Sequence, residues 1–221
     1  MIKHIIFLLS LLTATVAHAQ VGQTVDGTHA AITVGGNFTA SGNANATLNA
    51  ELTTQKDRWQ GVYTADYNYQ QSKHVATVSL GGLEAKRNYA LDDRNYLIGD
   101  IRYDYNRFRP WQHTGIAAVG WGYKLIRAKN LKVSNELTAG YRKTDFGDYL
   151  VVRNSVWIRY NKGPITASDK FLYEKSNIDY YKNQSAITYS LNKSVNVGIQ
   201  NMYTHDVKEN NITSFTLGYK F

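Results

Sequence analysis

Ile212-Thr213-Ser214-Phe215-Thr216-Leu217-Gly218-Tyr219-Lys220-Phe221 closes the chain and decides its fold class. Side chains alternate along a β-strand, so Thr213, Phe215, Leu217, Tyr219 and Phe221 share one face and Ser214, Thr216, Gly218 and Lys220 the other. In water, a strand with one such oily face is a hydrophobic edge that invites pairing with other chains. In a lipid-facing wall it is stable, because barrel closure removes the edge and satisfies every backbone group. The same period runs back through most of the 221 residues. It predicts an all-β fold, an antiparallel up-and-down transmembrane β-barrel.

Composition points the same way. There is no Cys, which removes disulfides, thiolate metal sites, cysteine nucleophiles and a lipid-modified cysteine together. The mean hydropathy is negative, and beyond the first twenty residues no apolar run has the length a spanning helix needs. A helical membrane protein is excluded. Residues 1–19 read as a secretory signal. Lys3 supplies the positive start, Ile5 to Leu12 the apolar core, and Ala17-His18-Ala19 the small-x-small cleavage site, leaving Gln20 first. The 25 Lys and Arg outnumber the 17 Asp and Glu, and loss of Lys3 leaves a charge of about +7. For an exported chain that excess suits the phosphates of outer-membrane lipids, or the barrel lumen, and nucleic acid is not an expected partner.

Residues 20–29 form a short periplasmic lead, and residues 30–221 a single barrel domain. Strands are predicted at Ala30 to Thr39, Asn45 to Thr53, Trp59 to Tyr69, Val75 to Tyr89 and Leu97 to Asn106. Further strands are predicted at Thr114 to Leu125, Leu131 to Arg142, Leu150 to Tyr160, Ile165 to Glu174, Tyr180 to Leu191, Val195 to Tyr203 and the C-terminal stretch. That makes about twelve, or about ten if the Gly-interrupted fourth strand or the ninth and tenth fail; an even count is the rule for single-chain bacterial barrels. Asp169 and Lys170 break the apolar face of the ninth strand. Asn161-Lys162-Gly163-Pro164 is strong hairpin chemistry. Even strand number puts both termini in the periplasm, and the loops at the other end are all short. A constriction loop, large receptor loops or a plug would need segments absent between these strands.

Several stretches resemble a known family. They are Ser41-Gly42-Asn43 after a Gly-rich strand, Tyr103-Asp104-Tyr105-Asn106-Arg107-Phe108, Gly120-Trp121-Gly122-Tyr123-Lys124-Leu125, Gly140-Tyr141-Arg142 and the Leu217-Gly218-Tyr219-Lys220-Phe221 end. Together they are similar to the family of salt-induced outer membrane proteins, a domain of Gram-negative bacteria without an established activity. The resemblance implies an outer-membrane barrel of a Gram-negative cell and carries no catalytic residues. Recognition by the barrel-assembly machinery would rest on Phe215, Leu217, Tyr219 and Phe221, because Ser214 stands where such signals place Gly.

Charges of both signs on strands that cross a bilayer cannot face lipid, where an Arg or Lys at the midplane costs about 2–4 kcal/mol. Asp100, Arg102, Asp104, Lys132, Glu136, Arg142, Arg153 and Arg159 are therefore expected in the lumen. They either line a charge-selective pore or pair into a salt-bridged plug; the interleaved signs favour the plug. His74, His113 and His205 fall near the outer strand ends, and His205 beside Asp206 is the one pair with the makings of a general base. No Gly-x-Ser-x-Gly stretch or metal-type His pair accompanies them, so no metal, cofactor or catalysis is expected. Trp59, Tyr69, Tyr96, Trp111, Tyr149, Tyr160, Tyr203 and Tyr219 read as aromatic girdles at the lipid headgroups. The expected function is a structural or envelope-stress barrel. The alternatives are a narrow diffusion channel for small solutes or ions, and then a rim hydrolase.

Overall fold

The computed structural model describes residues 27–38, 44–72, 75–108, 112–177, 179–205 and 209–220. The stretch read as a secretory signal, with Ala17, Ala19 and Gln20, and the terminal Phe221 lie outside the described residues. Twelve strands follow one another: β1 (Gly27–Phe38), β2 (Ala44–Lys56), β3 (Trp59–Ser72), β4 (Val75–Ala90), β5 (Asn95–Asn106) and β6 (His113–Arg127). The remainder are β7 (Leu131–Thr144), β8 (Gly147–Lys162), β9 (Ile165–Lys175), β10 (Tyr180–Ser190), β11 (Val195–His205) and β12 (Asn210–Lys220). Each pairs antiparallel with its sequence neighbours, and β1 pairs with β12, placing Val34 opposite Leu217 and Gly36 opposite Phe215. The result is a closed barrel of twelve strands, with the fourth, ninth and tenth all present. Closure leaves no unpaired edge.

Alternation sorts the side chains. Val119, Leu150 and Phe215 are 70%, 69% and 67% exposed on the outer wall, while Ile98, Val151 and Ile212 on the inner face are buried. Such a wall is suited to hydrocarbon, where covering a side chain of this kind stabilises it by about 1.5–3 kcal/mol. Turn chemistry is local. Gly163 takes a left-handed φ of 57° immediately before Pro164, giving a two-residue hairpin between Lys162 and Ile165. At the four-residue turn after β4, Asp92 Oδ1 accepts the backbone N–H groups of Arg94 and Asn95, each at 2.7 Å. The turn after β10 repeats this with Asn192, which accepts from Ser194 and Val195 at 2.8 and 2.7 Å.

The irregular ninth strand resolves in the same terms. Lys170 faces the lumen, and Asp169 faces out, accepting hydrogen bonds from Ser185 Oγ at 2.6 Å and Asn183 Nδ2 at 3.1 Å. Two of the expected girdle residues are corrected. Tyr96 is buried and points inward, because it shares the strand parity of Ile98 and Asp100. Tyr149 shares the inward face of β8 with Val151, leaving Leu150 on the outside. Trp59, Tyr160 and Tyr219 lie on the outer wall, and Trp111 is outside the described residues.

Candidate functional site

The lumen gathers most of the charged residues, and on the β4–β9 side of its wall they form three neighbouring ion-paired groups. Arg153 on β8 donates from Nη1 to Asp100 Oδ2 on β5 at 2.5 Å, and from Nε to Glu174 Oε2 on β9 at 3.1 Å. Arg142 on β7 pairs with the same Glu174 and donates to Ser176 Oγ at 2.7 Å. Lys86 on β4 pairs with Glu136 on β7 at 2.7 Å, and the Tyr96 hydroxyl donates to the other Glu136 oxygen at 2.9 Å. Arg102 closes on Asp104 at 2.8 Å. Arg153, Asp100 and Glu174 are 5%, 4% and 1% exposed, so each charge depends on its partners to offset desolvation.

Of the eight charged residues expected in the lumen, Asp100, Arg102, Asp104, Glu136, Arg142 and Arg153 belong to these pairs. Lys132 does not. It is exposed at the start of β7, near the barrel rim. Arg159 faces the lumen but lies apart from the cluster, with Nε buried and no protein hydrogen-bond partner. Lys86, Glu174 and Tyr96 were missed in the sequence. Parity could have found them: Lys86 shares its face with Glu84, Tyr96 with Asp100, and Glu174 with Leu172 and Lys170.

The cluster spans β4 to β9 and leaves the rest of the lumen open. A cavity of about 560 Å³ fills the half of the barrel where the termini lie, walled by polar and small side chains from β1–β4 and β8–β12. Above it sits a space of about 30 Å³ between Asp66, Glu84, Arg102, Lys170 and Lys182. A third cavity of about 60 Å³ reaches toward the opposite end, past Asp104, Asn106, Thr114 and Tyr180. Asp66 and Lys182 belong to the walls of all three.

The rim histidines do not build a hydrolytic site among the described residues. His113 lies on the outer wall, where Nδ1 shares a 2.6 Å hydrogen bond with the Tyr103 hydroxyl and the ring packs against Tyr105. Asp145 takes the backbone amides of Gln112 and His113 with a single carboxylate oxygen. His205 Nδ1 lies 3.5 Å from Glu209. His74 and Asp206 lie outside the described residues.

The sequence profile of the family described as protein of unknown function, DUF481, matches residues 32–221. The chain belongs to the DUF481 family. By fold, this DUF481 barrel is similar to the NanC porin, with a TM-score of 0.57 at 13% identity over 86% of this chain and 98% of that one. It is also similar to the translocator domain of the autotransporter NalP from Neisseria meningitidis, with a TM-score of 0.51 at 9% identity over 99% and 94% of the two chains. The KdgM porin in complex with disordered oligogalacturonate superposes with a TM-score of 0.49 at 8% identity over 87% and 98%. At such identities the likeness is one of fold alone. No curated protein matches the sequence.

Proposed function

We propose that the protein is a narrow diffusion channel of the outer membrane for small polar solutes. The observation that carries this is the series of cavities of about 560, 30 and 60 Å³ that lie beside the charge cluster and share Asp66 and Lys182 in their walls. The smallest of the three spaces, about 30 Å³, narrows the way between the other two, so permeation falls steeply with solute size. A barrel closed throughout by its own charges fits the β4–β9 side of the lumen, and the open side favours the channel over a purely structural role.

The outer wall accounts for the setting. Its apolar belt suits the hydrocarbon layer of outer-membrane lipids, with Trp59, Tyr160 and Tyr219 at the headgroups. The alternation Phe215, Leu217, Tyr219, Phe221 suits recognition by the barrel-assembly machinery. The resemblance to salt-induced outer membrane proteins would place such a channel in the envelope response to osmotic load. The test is swelling of proteoliposomes in isosmotic glycerol, arabinose and raffinose. Rates that rise above those of protein-free vesicles and fall in that order support the channel. With protein shown to be folded by heat-modifiable gel mobility, rates equal to protein-free vesicles for all three overturn it.

A further inference from the structure

In a closed barrel of twelve strands, those six apart stand opposite each other across the lumen. β2, β3 and β4 thus face β8, β9 and β10. Each strand of the first group contributes one carboxylate to the wide cavity, Glu51, Asp66 and Glu84. Each strand of the second contributes one cation, Arg159, Lys170 and Lys182. All six lie between three and eight residues from the strand end nearest the termini, so the two rows stand at similar depth.

These rows differ from the cluster beside them. On the β4–β9 side, carboxylate and cation close to hydrogen-bond distance. Across the cavity, among the described residues, none of the three carboxylates lies within ion-pair reach of the three cations. Glu51 and Arg159 stand across the widest part of the lumen, while Asp66, Glu84, Lys170 and Lys182 draw in around the 30 Å³ space at its inner end without closing into pairs. Two donors in the walls of the wide cavity, Arg159 Nε and Asn49 Nδ2, are buried without a protein acceptor.

Opposed, unclosed rows of charge set a field across the passage instead of along it. An ion of one sign gains at one wall what it loses at the other, whereas a solute carrying both signs aligns and gains at both. We infer that the wide cavity is a selectivity slot for small zwitterionic solutes of the amino-acid class. Their carboxylate turns toward Arg159, Lys170 and Lys182, and their ammonium toward Glu51, Asp66 and Glu84. This rests on the channel proposed above and adds the class of solute that it favours.

Glycine and its uncharged isomer glycolamide have the same atoms and nearly the same size, so their relative swelling rates in proteoliposomes isolate the field. Glycine should enter severalfold faster than glycolamide through the wild-type protein. The ratio should fall toward one in Lys170→Gln/Lys182→Gln, and also in Arg159→Gln, which sits toward the wider mouth and makes none of the cluster contacts. Neutralising one wall should also shift the ion reversal potential toward cation selectivity, while Asp66→Asn/Glu84→Gln should shift it toward anion selectivity. Equal entry of the two isomers through a conducting wild-type barrel overturns the slot and leaves the channel standing. Entry of neither isomer overturns both.

Discussion

Replacing Arg153 by Met removes the residue on which two buried carboxylates converge. Arg153 is 5% exposed and holds Asp100 at 2.5 Å and Glu174 at 3.1 Å. After its loss Glu174 keeps Arg142, but Asp100 keeps no ion-pair partner, and its other oxygen has no hydrogen bond to begin with. Stripping one partner from a buried ion pair costs about 3–5 kcal/mol, and the Met side chain recovers only packing. Asp100→Asn in the same background removes the stranded charge and leaves the smaller penalty of an imperfectly bonded amide, about 1–3 kcal/mol. The two substitutions should therefore be non-additive, with a coupling of roughly 1–3 kcal/mol. Lys132→Met, at an exposed rim position outside the cluster, should stay within about 0.5 kcal/mol of wild type. Urea unfolding in detergent micelles, followed by tryptophan fluorescence and by heat-modifiable mobility, gives all five stabilities: wild type, Arg153→Met, Asp100→Asn alone, the double mutant and Lys132→Met. An Arg153→Met protein as stable as Lys132→Met, or a strictly additive double mutant, would refute the view that this cluster holds its side of the barrel together.

Three further outcomes follow from individual contacts. A Cβ on Gly122 would meet the Tyr96 ring at 2.1 Å, so Gly122→Ala should cost about 1–3 kcal/mol in the same unfolding assay, and Tyr96→Leu should recover part of it. The backbone amides of Asn95 and Arg94 hold the Asp92 carboxylate below its usual range. Its stabilisation is thus complete above the ordinary Asp pKa of about 3.9 and fades as pH falls through the lower folded value. The drop in thermal midpoint caused by Asp92→Ala should accordingly shrink from pH 7 to the acid range below about pH 4. The drop caused by Asn192→Ala, in the matching neutral turn, should not change with pH. Asp169→Leu replaces an outward carboxylate on the lipid-facing wall and should stabilise the barrel in bilayers by up to about 2 kcal/mol. A loss of stability there would show that the Asp169–Ser185–Asn183 hydrogen bonds outweigh the exposure to lipid.

Alternation made the strands legible because a period of two is a strictly local signal, and lipid outside with charge inside amplifies it. Leu97, Ile101 and Tyr103 against Asp100, Arg102 and Asp104 could be sorted by parity alone. Residue type misleads at strand ends: Tyr96 has the look of a girdle residue, but its parity with Asp100 places it inside. Lys132 shows the opposite limit. Its parity is inward, but parity gives no depth, and so near the barrel rim it is solvated. The pairing of Arg153 with both Asp100 and Glu174 depends on barrel curvature, since it joins β8 to β5 and β9. The facing of β2–β4 by β8–β10 depends on the strand count together with closure, which no single segment encodes. The open side of the lumen could not be read from charges that, taken together, suggested a plug.

Single-channel current from the refolded wild-type protein in a planar bilayer tests the channel most directly. Discrete conductance steps, smaller than those of a wide water-filled pore and enlarged by Lys182→Ala at the shared wall of the three cavities, are the predicted result. A silent bilayer, with protein whose heat-modifiable mobility shows it folded, would contradict the channel and leave a barrel closed by its own charges.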